Sequence, residues 1–251
     1  DGKPLYPQRP MLLGPMFTRG AAGSVPSGKF NGKIIVVESG LDREAWPWNA
    51  DWYAKKFDAT YGKDAPNKYR VWFTENALHG YNEHEDAQTR VVSYLPVLQQ
   101  ALRDVSAWGE RGVKPADNSG YRVDNGQVIL AATAAERKGV QPVVALTANG
   151  SAVARVKAGE MVKFVARVEA PIGNSYVQGI AWDFGGPNPY SEGTVLAKWT
   201  TQAKATFEVE HRFDAPGTYF VTAKGSAQRK DAIGTPYALV ENLARVRIVV
   251  E

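Results

Sequence analysis

An aspartate and a histidine, each placed just after a predicted strand, are the residues of this chain best suited to proton transfer. Residues 33–38 (KIIVVE) run into the loop with Asp42, and Tyr69–Phe73 run into a polar turn with His79. Helical periodicity over Trp46–Phe57 predicts a βαβ unit, which places both loops at one edge of a parallel sheet. A histidine there can act as a general base while a carboxylate holds its other ring nitrogen. The sequence therefore predicts this pair as the functional centre.

Plainer interpretations of the same residues stay open. Asp42 precedes Arg43–Trp46 and could cap the following helix, and His79 could be an ordinary loop histidine. Glu38 is an alternative acid at the end of its strand. A metal site would combine His79 with Glu83–Glu85, a stretch that contains His84, but histidines five residues apart do not share a helical face. A solvated acidic loop is favoured, and neither a metal nor a cofactor is predicted.

Three tryptophans follow the acid loop at roughly helical spacing. Trp46 and Trp48 lie nearest to Asp42 and are predicted to form a substrate-binding wall for an aromatic or apolar group. The alternative is that these rings, together with Trp52, belong to the hydrophobic core.

Composition excludes several classes of function. The 251 residues are 44% hydrophobic, enough to bury a core, and 30 Lys and Arg against 26 Asp and Glu form no basic stripe. A nucleic-acid partner is therefore not expected. The absence of cysteine excludes disulfides, thiolate metal sites and a cysteine nucleophile. No apolar run approaches the roughly 20 residues that span a bilayer, so no membrane span is predicted.

The strands that carry the pair predict how the surrounding elements are arranged. Residues 34–37 and 69–73 are apolar throughout rather than alternating, which is typical of parallel strands covered on both faces. An amphipathic pattern over Ala87–Arg111 supplies one cover, with a kink or break expected at Pro96. Because a stable sheet needs three or more strands, either polypeptide outside this chain completes it or the strand assignment is wrong.

The rest of the chain divides by composition. Residues 1–32 contain five prolines and are predicted to form an extended arm that packs on a partner surface. Residues 33–113 are the α/β part, and residues 114–141, with a hairpin turn at Asp124–Gly126, are predicted to be a linker. Residues 142–251 contain about seven short strands separated by turns, which predicts an immunoglobulin-sized β-sandwich. The predicted fold class is therefore α/β followed by all-β.

Residues 33–112 resemble the last two parallel strands and closing helix of an α/β-hydrolase sheet. The matching pieces are a Gly-Leu-Asp motif ending at Asp42, a Leu-His-Gly motif centred on His79, and their order along the chain. Residues 101–115 (ALRDVSAWGERGVKP) are similar to the tail of secreted, tannase-like esterases. The resemblance implies a serine esterase, secreted or periplasmic, with Asp42 as triad acid and His79 as triad base.

The nucleophile of such an enzyme is missing from the sequence. No serine lies in a G-x-S-x-G motif, since Ser175 and Ser191 each have glycine on one side only. The resemblance therefore implies that this chain alone is inactive. It also implies a partner, an N-terminal hydrolase segment from the same precursor or a second chain, that brings the serine and the other strands to a small-molecule ester.

Residues 142–251 resemble a PKD-type β-sandwich. Trp182–Gly185 match the WDFG motif of that family, and His211–Val221 (HRFDAPGTYFV) match its strand-turn-strand motif. The chain departs from the family pattern at Gly186 in place of aspartate, at the insertion Pro187–Gly193, and at Phe213 in place of tyrosine.

A second function hypothesis needs no catalysis. The α/β part would then be a degenerate hydrolase scaffold, and the chain would be a secreted surface module whose sandwich binds a glycan or a protein. The sandwich could also be a spacer that covers the edge of the hydrolase sheet.

Overall fold

The computed structural model describes residues 26–80, 88–173, 175–186, 189–195 and 201–251. The α/β part begins with strand β1 (Ile34–Ser39), helix α1 (Trp48–Tyr61), a 3-10 turn (Gly62–Asn67) and strand β2 (Tyr69–Thr74). The two strands pair in parallel over six residues, from Ile34 opposite Tyr69 to Ser39 opposite Thr74. The predicted βαβ unit is present, and its strands lie within one residue of the predicted positions.

Both faces of this strand pair are covered, as continuously apolar strands require. On one face, Phe57 of α1 stacks on Tyr69 with ring centroids 4.8 Å apart. On the other face, helix α2 (Leu95–Arg111) packs Val97 against Trp72. β2 is buried along its whole length, whereas most of β1 stays partly exposed.

Helix α2 is shorter than predicted and has no kink at its proline. It begins at Leu95, so Pro96 lies in the first turn, where the missing amide would have had no partner within the helix. The predicted start at Ala87 lies outside the described residues. The helix ends where Gly112 adopts a left-handed conformation with φ of 71°. Neither α2 nor any other described helix is long and apolar enough to cross a bilayer.

The interval 114–141 has secondary structure of its own. It contains strand β3 (Tyr121–Asp124), strand β4 (Gln127–Leu130) and the short helix α3 (Ala134–Arg137). The hairpin turn is confirmed, since Asn125 and Gly126 both have positive φ between paired strands. Tyr121 and Leu130 pack against the core beneath α1. Besides connecting the two parts, this interval therefore contributes to the core of the first.

The edge of the small sheet beyond β2 is closed by residues 116–119. Asn118 Oδ1 accepts a hydrogen bond from the Val71 amide at 3.0 Å. Ser119 Oγ accepts one from the Phe73 amide at 3.0 Å, and the Ser119 amide donates to the Val71 carbonyl at 2.9 Å. The outward backbone groups of β2 are thus occupied by non-strand partners.

The edge beyond β1 is different. No strand among the described residues pairs with it. The amides of Ile34 and Gly40 donate towards β2, to the carbonyls of Lys68 and Thr74. Because successive backbone amides of a strand point to opposite sides, the amides of Ile35 and Val37 face the open edge. A further strand can therefore pair with the outer edge of β1.

The second part of the chain is a β-sandwich, as predicted. One sheet contains β5 (Val143–Ala148), β7 (Met161–Glu169) and β10 (Lys204–Arg212). The other contains β6 (Val153–Val156), β8 (Ser175–Asp183), β9 (Glu192–Val195), β11 (Gly217–Arg229) and β12 (Leu239–Val250). The strand orders are β10-β7-β5 and β6-β12-β11-β8-β9. Fully buried side chains such as Phe164, Val177 and Ile248 form the core.

The sequence predicts seven strands in the sandwich, including Thr194–Trp199 and Thr218–Lys224, and the structure differs in three places. Strand β11 continues to Arg229, five residues beyond its predicted end. Strand β6 is absent from the predictions, because its four residues (VARV) are too few to show a clear alternation. The predicted strand Thr194–Trp199 overlaps β9 at its first two residues, and residues 196–200 lie outside the described residues.

Only the end of the predicted N-terminal arm is described, since residues 1–25 lie outside the described residues. Phe30 packs on Phe57 with ring centroids 5.7 Å apart, and its carbonyl accepts a hydrogen bond from the Tyr61 hydroxyl at 2.7 Å. This part of the arm is therefore anchored on α1.

Candidate active site

The loop that contains Asp42 (residues 40–45, the acid loop) and the loop that contains His79 (residues 75–80, the histidine loop) leave the sheet side by side. β1 and β2 end at residues that are opposite each other in the ladder, so the chain turns off both strands at the same edge. The Gly40 amide donates to the Thr74 carbonyl at 2.8 Å, and the Leu41 amide donates to the Ala77 carbonyl at 2.8 Å. These two backbone bonds fix the loops relative to each other before either functional side chain takes part.

Gly40 permits this close approach. A Cβ atom at this position would lie 3.2 Å from the Thr74 carbonyl oxygen and 3.3 Å from Glu75 Cα. Both distances are tighter than ordinary van der Waals contact, and both neighbours are backbone atoms that cannot rotate away. The glycine before Leu41 is thus needed for the spacing of the two loops.

Asp42 and His79 are in direct contact. Asp42 Oδ2 lies 2.7 Å from His79 Nδ1, a charge-assisted hydrogen-bond distance. The other oxygen, Oδ1, accepts the amides of Glu44 and Ala45, both at 2.8 Å. One carboxylate oxygen therefore stabilises its own loop and the other orients the imidazole.

The alternative role of Asp42 as a helix cap does not fit this geometry. α1 begins at Trp48, after Pro47, and has no side-chain hydrogen bond at its N-terminus. The two hydrogen bonds that Asp42 Oδ1 accepts stay within its own loop, where they form an Asx turn. Glu38, the alternative acid, has no hydrogen bond to the histidine ring in the described part of the chain.

The contact shifts the protonation of both partners. Burial opposes ionisation of Asp42, but the amides of Ala45 and Glu44 and the His79 ring outweigh it, so the Asp42 pKa lies below its usual value. The hydrogen bond that the His79 ring makes to Asp42, followed by the charges of Asp42 and Glu44, raises the pKa of His79. Near neutral pH the carboxylate is ionised, and the histidine is more basic than a free imidazole.

The second ring nitrogen of His79 is open to chemistry. The His79 side chain is 51% exposed, whereas that of Asp42 is 7% exposed. With the Nδ1 proton directed at Asp42, a neutral imidazole carries its lone pair on Nε2. The nearest charged atom to Nε2 is Glu44 Oε2 at 3.9 Å, too far for a hydrogen bond. Among the described residues no serine hydroxyl bonds to Nε2.

Glu38 is a second unusual acid beside the pair. Burial, and secondarily the charge of Asp42, raise its pKa to about 7, against a smaller lowering by His79. Its Oε1 atom is buried and has no hydrogen-bond partner among the described residues. A buried carboxyl without a partner favours its neutral form, so Glu38 titrates near physiological pH.

The predicted substrate-binding tryptophans are at the surface. Trp46 is 55% exposed and Trp48 is 45% exposed, and both lie in the segment that follows Asp42. The alternative that the cluster belongs to the core is wrong for these rings and for Trp52, which is 39% exposed. Their contact with a substrate stays a prediction.

The remaining sequence hypotheses concern metals and the WDFG motif. Glu83–Glu85 of the metal alternative lie outside the described residues, and no described group of three His, Asp or Glu side chains is arranged to hold a metal. Asp183 stabilises its turn by accepting the Gly185 amide at 3.2 Å, as expected for the motif. The His211 ring stacks on Phe184 at 4.2 Å between centroids.

No sequence pattern indicated the residues that hold the histidine loop on the sandwich. Asn76 adopts φ of 61° just after β2, and its side chain bonds to Asn242 of β12. An asparagine after a strand is a recognisable turn signal, but its partner lies 166 residues away. Periodicity and local motifs cannot identify a contact of that kind.

Comparisons with known proteins find similar solved structures but no family. No protein-family model matches the chain, and no curated protein is significantly similar to it. Solved structures match 43% to 45% of the chain. A CARDB domain from Pyrococcus furiosus, an immunoglobulin-like β-sandwich, is 13% identical with a TM-score of 0.32, and 93% of that domain is covered.

Two further structures are similar at the same level. A complex of zinc 2-glycoprotein and prolactin inducible protein from human seminal plasma contains a chain that is 15% identical, with a TM-score of 0.29 and 93% of that chain covered. A superoxide reductase (neelaredoxin) from Ignicoccus hospitalis is 21% identical, with a TM-score of 0.27 and 81% covered. At these values no function can be transferred to this chain.

Proposed function

We propose that this chain supplies the acid and base of a serine carboxylic ester hydrolase of the α/β-hydrolase type. The observation that carries the proposal is the 2.7 Å contact between Asp42 Oδ2 and His79 Nδ1 at the shared edge of two parallel strands. The acid precedes the histidine along the chain, as in that fold. The solved structures that match the chain add nothing to the hydrolase interpretation, which rests on this geometry.

The chemistry divides between the two side chains. His79 Nε2 accepts the proton of a serine hydroxyl while the serine oxygen bonds to the ester carbonyl carbon. Asp42 keeps the ring oriented and stabilises the imidazolium, which then donates the proton to the departing alcohol. A water molecule repeats both transfers on the acyl-enzyme, releasing the carboxylic acid and regenerating the serine.

The serine is proposed to come from an N-terminal hydrolase segment, in the same precursor or as a second chain, that adds a strand to the open edge of β1. The amides of Ile35 and Val37 face that edge. The buried side-chain atoms that lack a hydrogen-bond partner in the described chain all lie on β1 and β2: Glu38 Oε1, Tyr69 hydroxyl and Thr74 Oγ1. An incomplete sheet accounts for such atoms better than a complete one.

Exposed apolar side chains around the acid loop fit the same proposal. Leu41, Trp46, Trp48 and Trp52 are each at least 39% exposed within twelve residues of sequence. Such a concentration marks a binding surface more often than a solvent face. Trp46 and Trp48 are proposed to contact the aromatic or apolar group of a small ester, in a secreted or periplasmic protein.

The test is ester turnover by the complete gene product, including whatever is encoded immediately before Asp1. With p-nitrophenyl acetate as probe, the complete protein should be active, this chain alone inactive, and His79→Gln in the complete protein inactive. His211→Gln is the matched control, because His211 lies in the sandwich. Full activity of His79→Gln, or an upstream sequence without a serine motif, would contradict the proposal.

A second candidate function has one observation in its favour. At one end of the sandwich an open cavity of about 390 Å³ is lined by Asp183, Phe184, His211, Asp214 and Tyr219. Carboxylates beside aromatic rings suit a sugar ring, so a non-catalytic glycan-binding module is the alternative. Oligosaccharide titration followed on the His211 ring resonances tests it. Shifts that saturate support glycan binding, and unperturbed resonances for every oligosaccharide exclude it.

A further inference from the structure

The segment that carries His79 is attached to the β-sandwich on both sides of the histidine. On the near side, Asn76 Nδ2 donates to Asn242 Oδ1 at 2.9 Å and to the Leu243 carbonyl at 3.2 Å. Asn242 and Leu243 belong to β12, in the larger sheet of the sandwich. Only Ala77 and Leu78 lie between Asn76 and His79, so this contact constrains the direction in which the chain leaves β2.

The contact at Asn76 is part of a buried polar network. Asn242 is 1% exposed, and its Nδ2 donates to Glu75 Oε2 and to the Pro142 carbonyl, both at 3.0 Å. Gln141 accepts the Glu75 amide at 2.7 Å and donates to the Glu75 carbonyl at 3.0 Å. The side chains of Asn242 and Gln141 are buried, so displacing either would leave its polar atoms without partners away from water, and this favours a single arrangement.

On the far side of the histidine, the returning chain is held by two hydroxyl groups of the sandwich. Thr222 Oγ1 of β11 donates to the Thr89 carbonyl at 3.1 Å, and the Tyr190 hydroxyl donates to the Gln88 carbonyl at 2.9 Å. Thr222 is completely buried. These bonds join a sandwich strand and a sandwich turn to the chain that returns from the histidine.

The two attachments are themselves connected. The Val92 amide donates to the Asn76 carbonyl at 2.9 Å, which ties the returning chain to the outgoing one. The described segments before and after the histidine, residues 75–80 and 88–92, are therefore joined by one backbone bond, and each is bonded to sandwich side chains. By contrast, the acid loop is held by its own amides and by the histidine loop.

We propose that the β-sandwich is the positioning element for His79: Asn242, Thr222 and Tyr190 hold the histidine loop so that the ring meets Asp42. This goes beyond the proposed hydrolase, since the pair needs positioning whatever reaction it serves. Catalytic groups must be held within roughly 0.5 Å of their working geometry, and loops reach that precision only when rigid elements support them. Removing the support should therefore weaken the contact between the two side chains without removing either of them.

The first experiment removes the far attachment with neutral, near-isosteric changes. In the 251-residue chain, Tyr190→Phe combined with Thr222→Val deletes both hydroxyls. An NMR titration then measures the pKa of His79, whose resonances are assigned by comparison with His79→Gln. The proposal predicts that the raised pKa falls most of the way to its value in Asp42→Asn. The control double variant, Tyr219→Phe with Thr147→Val, deletes hydroxyls that bond to the carbonyls of Ala215 and Val165 within the sandwich.

A purely structural role would give a different pattern. In that case both double variants lower the melting temperature and neither changes the pKa of His79, which would overturn the proposal. Thr222→Ser keeps the hydroxyl and should leave the pKa at its wild-type value. If the far-side double variant does not fold, Tyr190→Phe alone decides the matter, because it changes only a surface hydroxyl contact and should still lower the pKa.

The second experiment addresses the near attachment. Asn76→Gly keeps the left-handed backbone accessible but removes the donor to Asn242, and it should also lower the pKa of His79. Asn125→Gly is the matched control, since Asn125 has φ of 47° in the exposed β3–β4 turn. An equal effect of the two glycines, or no effect of Asn76→Gly, would contradict the positioning role. The readout does not depend on ester hydrolysis, so failure of the hydrolase proposal would be seen separately.

Discussion

The two parts of the molecule differ in how completely their strands are satisfied. In the sandwich, eight described strands form two sheets around a shared core that includes Phe164 and Ile248. In the βαβ unit, two strands carry one open edge. The buried polar atoms without partners in the described chain are found on those two strands. The exposed tryptophans lie there as well.

Under the proposed function, this difference indicates the part to which another polypeptide would bind. A two-sheet sandwich of this size buries its own core between its sheets. A two-stranded parallel sheet is stable here because α1, α2 and residues 116–119 cover it on three sides, and β1 still exposes backbone donors on the fourth. The functional pair lies in the incomplete part, and the complete part holds the histidine loop in place.

The largest expected effect concerns the functional pair itself. Asp42→Asn in the complete protein should lower kcat by about 10³- to 10⁴-fold, because the ring loses the partner that fixes its tautomer and stabilises its charge. Ester turnover measures this, with Asp124→Asn at the exposed hairpin as control. A loss smaller than about tenfold would mean that Asp42 is not the working acid.

The next largest effect is on amide hydrogen exchange, which should differ between β1 and the central strands of the sandwich. If the missing segment adds a strand to β1, the amides of Ile35 and Val37 should exchange with solvent at least on the order of 100-fold more slowly in the complete protein than in this chain. Amides in the centre of β11 and β12 should change little, because their partners are already present. Hydrogen exchange followed by NMR distinguishes the two cases. Unchanged exchange at Ile35 and Val37 would place the partner elsewhere.

A smaller effect is expected from the glycine between the loops. Gly40→Ala should push the acid loop away from the Thr74 carbonyl by a few tenths of an ångström and lower kcat by about tenfold. Gly186→Ala in the sandwich is the control, since a Cβ there meets no atom within 4 Å. Equal activity of the two variants would show that the spacing of the loops is not critical.

The smallest effect is a pH dependence of stability. Glu38 has a folded pKa of about 7, raised from 4.5, so the folded chain keeps a proton that the unfolded chain has lost between those values. Stability therefore falls as pH rises from about 4.5 to 7 and is flat above that range. His79, whose pKa is also raised, contributes a loss in the same direction near neutrality.

Glu38→Gln isolates the first contribution. The variant should gain about 1 to 2 kcal/mol relative to the wild type between pH 4.5 and 8, after allowance for partial solvent exposure of the carboxyl. Urea unfolding at several pH values measures the difference. A difference that does not change with pH would mean that Glu38 ionises normally.

The sequence was a good guide where the signal is local. Continuous apolar runs at 34–37 and 69–73 predicted strands that are covered on both faces, and their order with α1 predicted the parallel pairing. Parallel pairing in turn predicted that the residues after β1 and β2 would meet. Asp42 and His79 could therefore be selected as a pair from the topology of the chain.

The sequence could not show contacts between residues that are far apart in the chain. It also could not decide between two local structures that the same residues favour equally. Pro96 suits a kink or a first turn equally well from the sequence, and packing of Val97 against Trp72 decides for the first turn. The small polar stretch 114–141 gives no sign that Ser119 would close a sheet edge. Asn76 and Asn242 are two ordinary asparagines until the fold brings them together.

The most direct test of the central claim is labelling by a fluorophosphonate probe, which reacts with a serine activated by a histidine. The account predicts that the complete protein is labelled on a serine upstream of Asp1, that labelling is lost in His79→Gln and Asp42→Asn, and that this chain alone is not labelled. Rapid labelling of the complete protein that persists in His79→Gln would show that another group activates the serine, and the proposed role of the pair would be wrong.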